Sequence, residues 1–224
     1  MIPGISGIIR GINSGPILTK IGTYSSITDS SGGSYTVTID LGPPSPDRLV
    51  VVDVTMAIEG SGSLTGATLG GVAMTTVVAD NFRNTDRGAG AIFSRVVPSG
   101  TSASLVLQHT GSPTYSYVAD VFTIVGLSAN TAYSTGSANG GSTSLSTTIN
   151  VADNGIIIAG GGGWRTSTPY TWTGVTKVTE LNSGDGGAAL SSATAENLPQ
   201  QNNRTISWST PGTGRNILVV ASWR

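Results

Sequence analysis

The chain has no cysteine and a single histidine, His109. The first absence excludes disulfides, thiolate chemistry and cysteine-ligated metals. The second removes the usual nucleophile–base pairs and histidine-rich zinc sites within one chain. Charge is scarce as well: charged residues make up 10% of the sequence, against roughly a quarter in an ordinary globular protein. The formal net charge is −1, and the 11 basic residues are scattered from Arg10 to Arg224. A phosphate backbone needs a concentrated positive footprint, so no nucleic-acid partner is expected. No run approaches the roughly 18 apolar residues of a membrane helix, so no membrane partner is expected. In Met1–Arg10, Pro3, Gly4 and Gly7 interrupt the apolar residues and Arg10 follows them, which argues against a secretion signal.

What remains is glycine (32 residues), aliphatic residues, serine and threonine, arranged with period two between Gly, Pro, Ser and Asn clusters. In Ser34 to Leu41, Tyr35, Val37, Ile39 and Leu41 share one face while Ser34, Thr36, Thr38 and Asp40 share the other. Leu49 to Ala57 begins as a continuous apolar run and then alternates, which suits a central strand covered on both faces at one end. Further strands are predicted over Met74–Val78, Ala89–Val97, Ser102–His109, Tyr115–Val125, Leu145–Val151, Ile156–Ala159, Thr171–Val178, Ala188–Thr194, Thr205–Ser209 and Asn216–Trp223. No segment sustains a helical period. Many short strands without intervening helices predict an all-β fold, an antiparallel jelly-roll-like β-sandwich of two sheets.

Residues 1–16 read differently. Their glycines and prolines leave no room for a strand, yet Ile2, Ile5, Ile8, Ile9 and Ile12 are too apolar for a free tail. Either this arm docks on another chain, or its isoleucines tuck against the sandwich. The expected organisation is an irregular docking arm over 1–16 and a single β-sandwich domain over 17–224.

The sequence offers few groups for chemistry. His109 ends a strand whose inward set is Ala103, Leu105 and Leu107, which reads as a strand-end residue rather than a catalyst. Asp120 alternates with apolar residues and is a candidate for a glycosidase carboxylate pair with no identifiable mate; the plainer reading is a polar-face carboxylate or a partner of an arginine such as Arg95. Asp80, Asn84 and Asp86 fall in a predicted loop with oxygen ligands, but the spacing is not that of a calcium hand and Arg83 and Arg87 oppose it. Gly60–Gly66 and Gly160–Trp164 match no phosphate or dinucleotide loop and read as turns. Trp164, Arg165, Tyr170 and Trp172 form the one aromatic grouping suited to stacking on a sugar or meeting a neighbouring subunit, with packing as the plain alternative. Asn203–Thr205 spells a glycosylation sequon that carries no weight without a secretion signal. No enzymatic activity, cofactor or metal centre is expected.

Three stretches carry a resemblance. Gly66-Ala-Thr-Leu-Gly-Gly-Val-Ala-Met74, followed by Ala91–Thr101 with its Pro-Ser-Gly-Thr turn, resembles a repeating pattern of phage and prophage structural proteins. Val121–Leu127 and Thr205–Trp223 fit the same layout, and the opening Met1-Ile-Pro-Gly-Ile5 is similar to the openings of small phage head and tail proteins. The resemblance implies a structural component of a tailed-phage virion: a capsid decoration, head spike or tail fibre protein. It would contact capsid or tail partners and form a homo-oligomer, a trimer suiting a spike. A receptor-binding carbohydrate module recognising a host-surface glycan is the alternative it leaves open.

Overall fold

A computed structural model describes residues 15–26, 33–59, 62–82, 86–110, 114–164, 169–182, 188–212 and 214–224. The isoleucines of the expected arm, Ile2, Ile5, Ile8, Ile9 and Ile12, lie outside the described residues. The described chain is all-β, with every strand pairing antiparallel.

The first nine strands are β1 (Ile17–Ser26), β2 (Ser34–Asp40), β3 (Leu49–Glu59), β4 (Ser63–Leu69), β5 (Val72–Ala73), β6 (Thr75–Asn81), β7 (Asp86–Val96), β8 (Ser102–Thr110) and β9 (Thr114–Val125). They form an inner sheet ordered β1-β9-β3-β7-β6 and an outer sheet ordered β2-β8-β4-β5. The next eight are β10 (Ser134–Gly140), β11 (Ser144–Val151), β12 (Gly155–Trp164), β13 (Thr171–Thr173), β14 (Thr176–Asn182), β15 (Ala188–Leu198), β16 (Gln201–Ser209) and β17 (Arg215–Trp223). They form a second inner sheet, β10-β17-β12-β15-β14, and a second outer sheet, β11-β16-β13.

The sandwich expectation therefore holds, but two sheets become four. In each half the first strand pairs with the last and the second with the next-to-last, on opposite sheets, which is jelly-roll connectivity. Reading β10, β11 and β12 for β1, β2 and β3, and β14 to β17 for β6 to β9, converts the first inner sheet into the second strand for strand. The chain is one β fold written twice, with β5 lacking a counterpart.

Strand alternation explains how the halves join. In β3, Val50, Val52, Val54 and Met56 point into the first sandwich, whereas Leu49 and Val51 point the other way. In β12, Ile157 and Ala159 enter the second sandwich, whereas Ile156 and Ile158 point outward, and β17 splits likewise between Leu218 and Val220 and the set Val219, Ala221 and Trp223. The outward sets meet, with Ile92, Phe122 and Ile124, in a third apolar layer between the inner sheets. The expected two-sided cover at one end of β3 extends further, since Leu49–Ala57 is buried throughout, its polar members Asp53 and Thr55 included. The order across the molecule is outer, inner, inner, outer.

Two expectations about glycine are corrected. Gly60–Gly66 is not simply a turn, because β4 begins at Ser63. Gly160–Gly163 is strand, paired with both β15 and β17. Its glycines make room: a Cβ on Gly160 would lie 2.1 Å from Asp53 Oδ1, and one on Gly161 would lie 2.6 Å from Trp208 Cδ1. The predicted strand Thr171–Val178 is also divided. Gly174, with φ +86, turns the chain from β13 in the outer sheet to β14 in the inner one.

One charged residue braces the first half. Arg48 is buried and donates to six carbonyls: Leu41, Gly42, Pro43, Val97, Ser99 and Gly100, at 2.8 to 3.1 Å. Burial moves its guanidinium pKa downward, yet the ring of oxygens supplies what water would. It joins the β2–β3 connection to the turn after β7.

Candidate functional site

The layer between the inner sheets is apolar at one end and polar further along. On β3 the interface set Leu49, Val51 continues to Asp53, and on β9 the set Ile124, Phe122 continues to Asp120, because the period of two carries both strands from oil to carboxylate. Asp53 and Asp120 are directly paired across the β3–β9 ladder. Paired positions in a sheet hold their Cβ atoms about 4.5–5.5 Å apart on one face. Both residues are fully enclosed, at 1% and 0% exposure.

Their surroundings come from both halves. Asp53 Oδ2 accepts a hydrogen bond from Ser192 of β15 at 2.5 Å. Asp120 Oδ1 accepts one from Thr23 of β1 at 2.5 Å and pairs with the Lys20 ammonium at 3.2 Å. Lys20 also donates to Thr179 Oγ1 and to the Val178 carbonyl of β14, spanning the two inner sheets at their edge. Asp53 Oδ1 and Asp120 Oδ2 have no partner among the described residues.

Two buried carboxyls on one face cannot both ionise cheaply. The Asp53 carboxyl is pushed up to about 8, first because burial strips its water and then because of the Asp120 charge; the Ser192 hydrogen bond and Lys20 oppose the rise. Near neutrality Asp53 is therefore a carboxylic acid beside a lysine–carboxylate pair. Such a group can hold and return a proton, but its enclosure leaves a polysaccharide no access. The glycosidase reading of Asp120 gains a mate in Asp53 and loses its substrate. The sequence hid Asp53 inside an aliphatic run. Its interruption of that run, Val-Val-Val-Asp-Val, was the available signal.

The other candidates are dispersed. Arg95 does not pair with Asp120; it donates to the Leu69 carbonyl. His109 extends the inward set of Leu105 and Leu107, is 4% exposed and stacks on Tyr35 at 5.4 Å. Asp80 lies in β6 and accepts from Asn139 at 2.9 Å. Asn84 and the side chain of Asp86 are outside the described residues, and no cluster suited to a metal ion occurs among those described.

The aromatic grouping is corrected in one member. Tyr170 is 3% exposed and packs on Trp208 with ring centroids 5.1 Å apart, so it belongs to the second core rather than to a contact surface. Trp172 is half-buried and its indole donates to Ser191 Oγ at 2.9 Å. The side chain of Trp164 and the whole of Arg165 lie outside the described residues.

Fold and site together define a class, a tandem jelly-roll protein closed around a carboxyl pair. No protein-family model matches the chain, and no curated protein matches it.

Proposed function

We propose that the chain is a structural component of a tailed-phage virion, a capsid decoration, head spike or tail fibre protein, and not an enzyme. It assembles as a homo-oligomer on capsid or tail partners through the arm over 1–16 and its sheet surfaces. The observation that carries this reading is the jelly roll used twice and fused through an apolar layer. Jelly rolls serve recurrently as coat and lectin modules, and the second copy packs its inner sheet face to face on that of the first. Few charges leave few nonspecific ion pairs, and a weak apolar anchor becomes strong when many copies bind together.

The test is incorporation. Particles are purified from a host carrying the gene, and their proteins are identified by mass spectrometry for the full chain and for a Met1–Pro16 deletion. The full chain is expected in particles. The deletion variant is expected to keep its β circular dichroism and to be missing from them. Absence of the full chain from purified particles overturns the virion reading; normal incorporation of the deletion variant overturns the anchoring role.

The carbohydrate-binding alternative draws on the same lectin precedent. It has lost Tyr170 to the core, so Trp172 is the described ring on which it would depend.

A further inference from the structure

Lys20, Asp120 and Asp53 form a combination that ordinary ion pairing does not require. A lysine nitrogen and a carboxyl are held in ion-pair contact, 3.2 Å from Nζ to Oδ1, which places the amine beside the carboxyl carbon. The carboxyl is fully enclosed, whereas the lysine side chain keeps 30% exposure. A second carboxyl, paired to the first across the ladder, has one oxygen without a partner, as does Asp120 itself. Thr23 and Ser192 fix one oxygen of each acid, leaving the unpartnered ones available.

We propose that Lys20 and Asp120 condense to an intramolecular amide, with Asp53 as the acid that moves the protons. A proton passes from the Lys20 ammonium to the Asp120 carboxylate, leaving a neutral amine beside a neutral acid. The Nζ lone pair forms a bond to Cγ of Asp120. Asp53 gives its proton to a hydroxyl of the tetrahedral carbon, the C–O bond breaks and water leaves. Asp53 then recovers a proton from the nitrogen. Three ammonium hydrogens end as one on the amide and two on the released water, so no oxidant, reductant or added co-reactant is needed. Asp53 is neutral near pH 7 because of its burial, which is what a proton donor at that position requires. The exposed flank of Lys20 is an exit for the water.

The product would join β1 to β9, the first and last strands of the first jelly roll. A pull on the chain preceding β1 would then be carried by a covalent bond instead of by the β1–β9 ladder alone. The bond is independent of the virion reading: either can fail without the other.

The experiment is intact-mass spectrometry of the folded full chain after denaturation, followed by peptide mapping. The expected chain is lighter than its sequence by one water, with a branched peptide joining the segments around Lys20 and Asp120. Lys20→Arg keeps the positive charge but cannot form the amide, and is expected at full mass. Asp53→Asn keeps the shape but removes the acid, and is expected at full mass while folded. A folded wild-type chain at full sequence mass overturns the proposal, as does a water loss that maps to a single linear peptide. A branched peptide persisting in Asp53→Asn overturns the role of Asp53.

Discussion

The two halves share a strand order and differ in how they fill it. The first builds its central strand from Leu49, Val50, Val51, Val52 and Val54, and needs Arg48 to hold the long Leu41–Asp47 connection that precedes it. The second enters the equivalent strand through a tight turn at Asp153–Asn154, Asn154 having φ +56, and continues it with glycines. Aligning the ladders sets Asp53 against Gly160 and Val54 against Gly161, since Leu49 pairs with Ile124 as Ile156 pairs with Trp223. The carboxyl group of one copy therefore sits on the glycine of the other. A duplicated surface pressed against its own copy cannot keep the same large residue on both sides of the contact, and here the second copy has yielded.

The largest expected effect tests that contact. Asp53 has a folded pKa raised from 3.8 to about 8. Its contribution to stability is fully present below its unfolded value, near 4, and is lost as pH rises through about 8. At about 1.4 kcal/mol per pKa unit, the loss is on the order of 6 kcal/mol. Urea unfolding should show stability declining across that window, and Asp53→Asn should flatten the decline. A profile unchanged by the substitution would show that Asp53 is not the titrating group. The amide would not remove the effect, because burial is its main cause.

Next in size is Arg48→Ala. Six carbonyls lose their donor inside the protein, which should cost about 4 kcal/mol. Hydrogen exchange should rise first around residues 41–43 and 97–100, and equal loosening of the 152–154 turn would contradict the assignment of Arg48 to one half. Gly161→Ala should follow at about 2 kcal/mol, since the new methyl meets Trp208; thermal unfolding followed by circular dichroism reads it. The equivalent Val54→Ala has the opposite cause, a cavity, and should respond to refilling with isoleucine. Trp172→Phe removes one hydrogen bond to Ser191 and should cost about 1 kcal/mol, measured by the same unfolding curve.

Most strands were legible in the sequence: β2, β3, β6, β7, β8, β9, β11, β15, β16 and β17 each overlap a predicted strand, whereas β1, β4, β5 and β10 had none. Ser-Thr-Gly-Ser-Ala-Asn-Gly in β10 offers no apolar period, and the glycines of β12 look like a turn until Asp53 and Trp208 are seen above and below them. The duplication stayed hidden for the same reason, because Gly160 to Gly163 stand where β3 has Asp53, Val54, Thr55 and Met56 and share no side-chain pattern with them. Asp120 was visible as a carboxylate in an apolar frame. Its pairing with Asp53 and Lys20 was not, since ladder register joins residues 67 and 100 positions away, beyond the reach of any local pattern.

The shared layer between the inner sheets also bears on how the chain comes to be folded. A first half folded ahead of the second would present Leu49, Val51, Ile92, Phe122 and Ile124 as a sheet face without its cover until Ile156 to Trp223 arrive. During that interval the matching face of a neighbouring nascent chain fits as well as the chain's own. Exchange of second halves between two copies would reproduce every contact of the monomer, and dilution during synthesis favours the closed form.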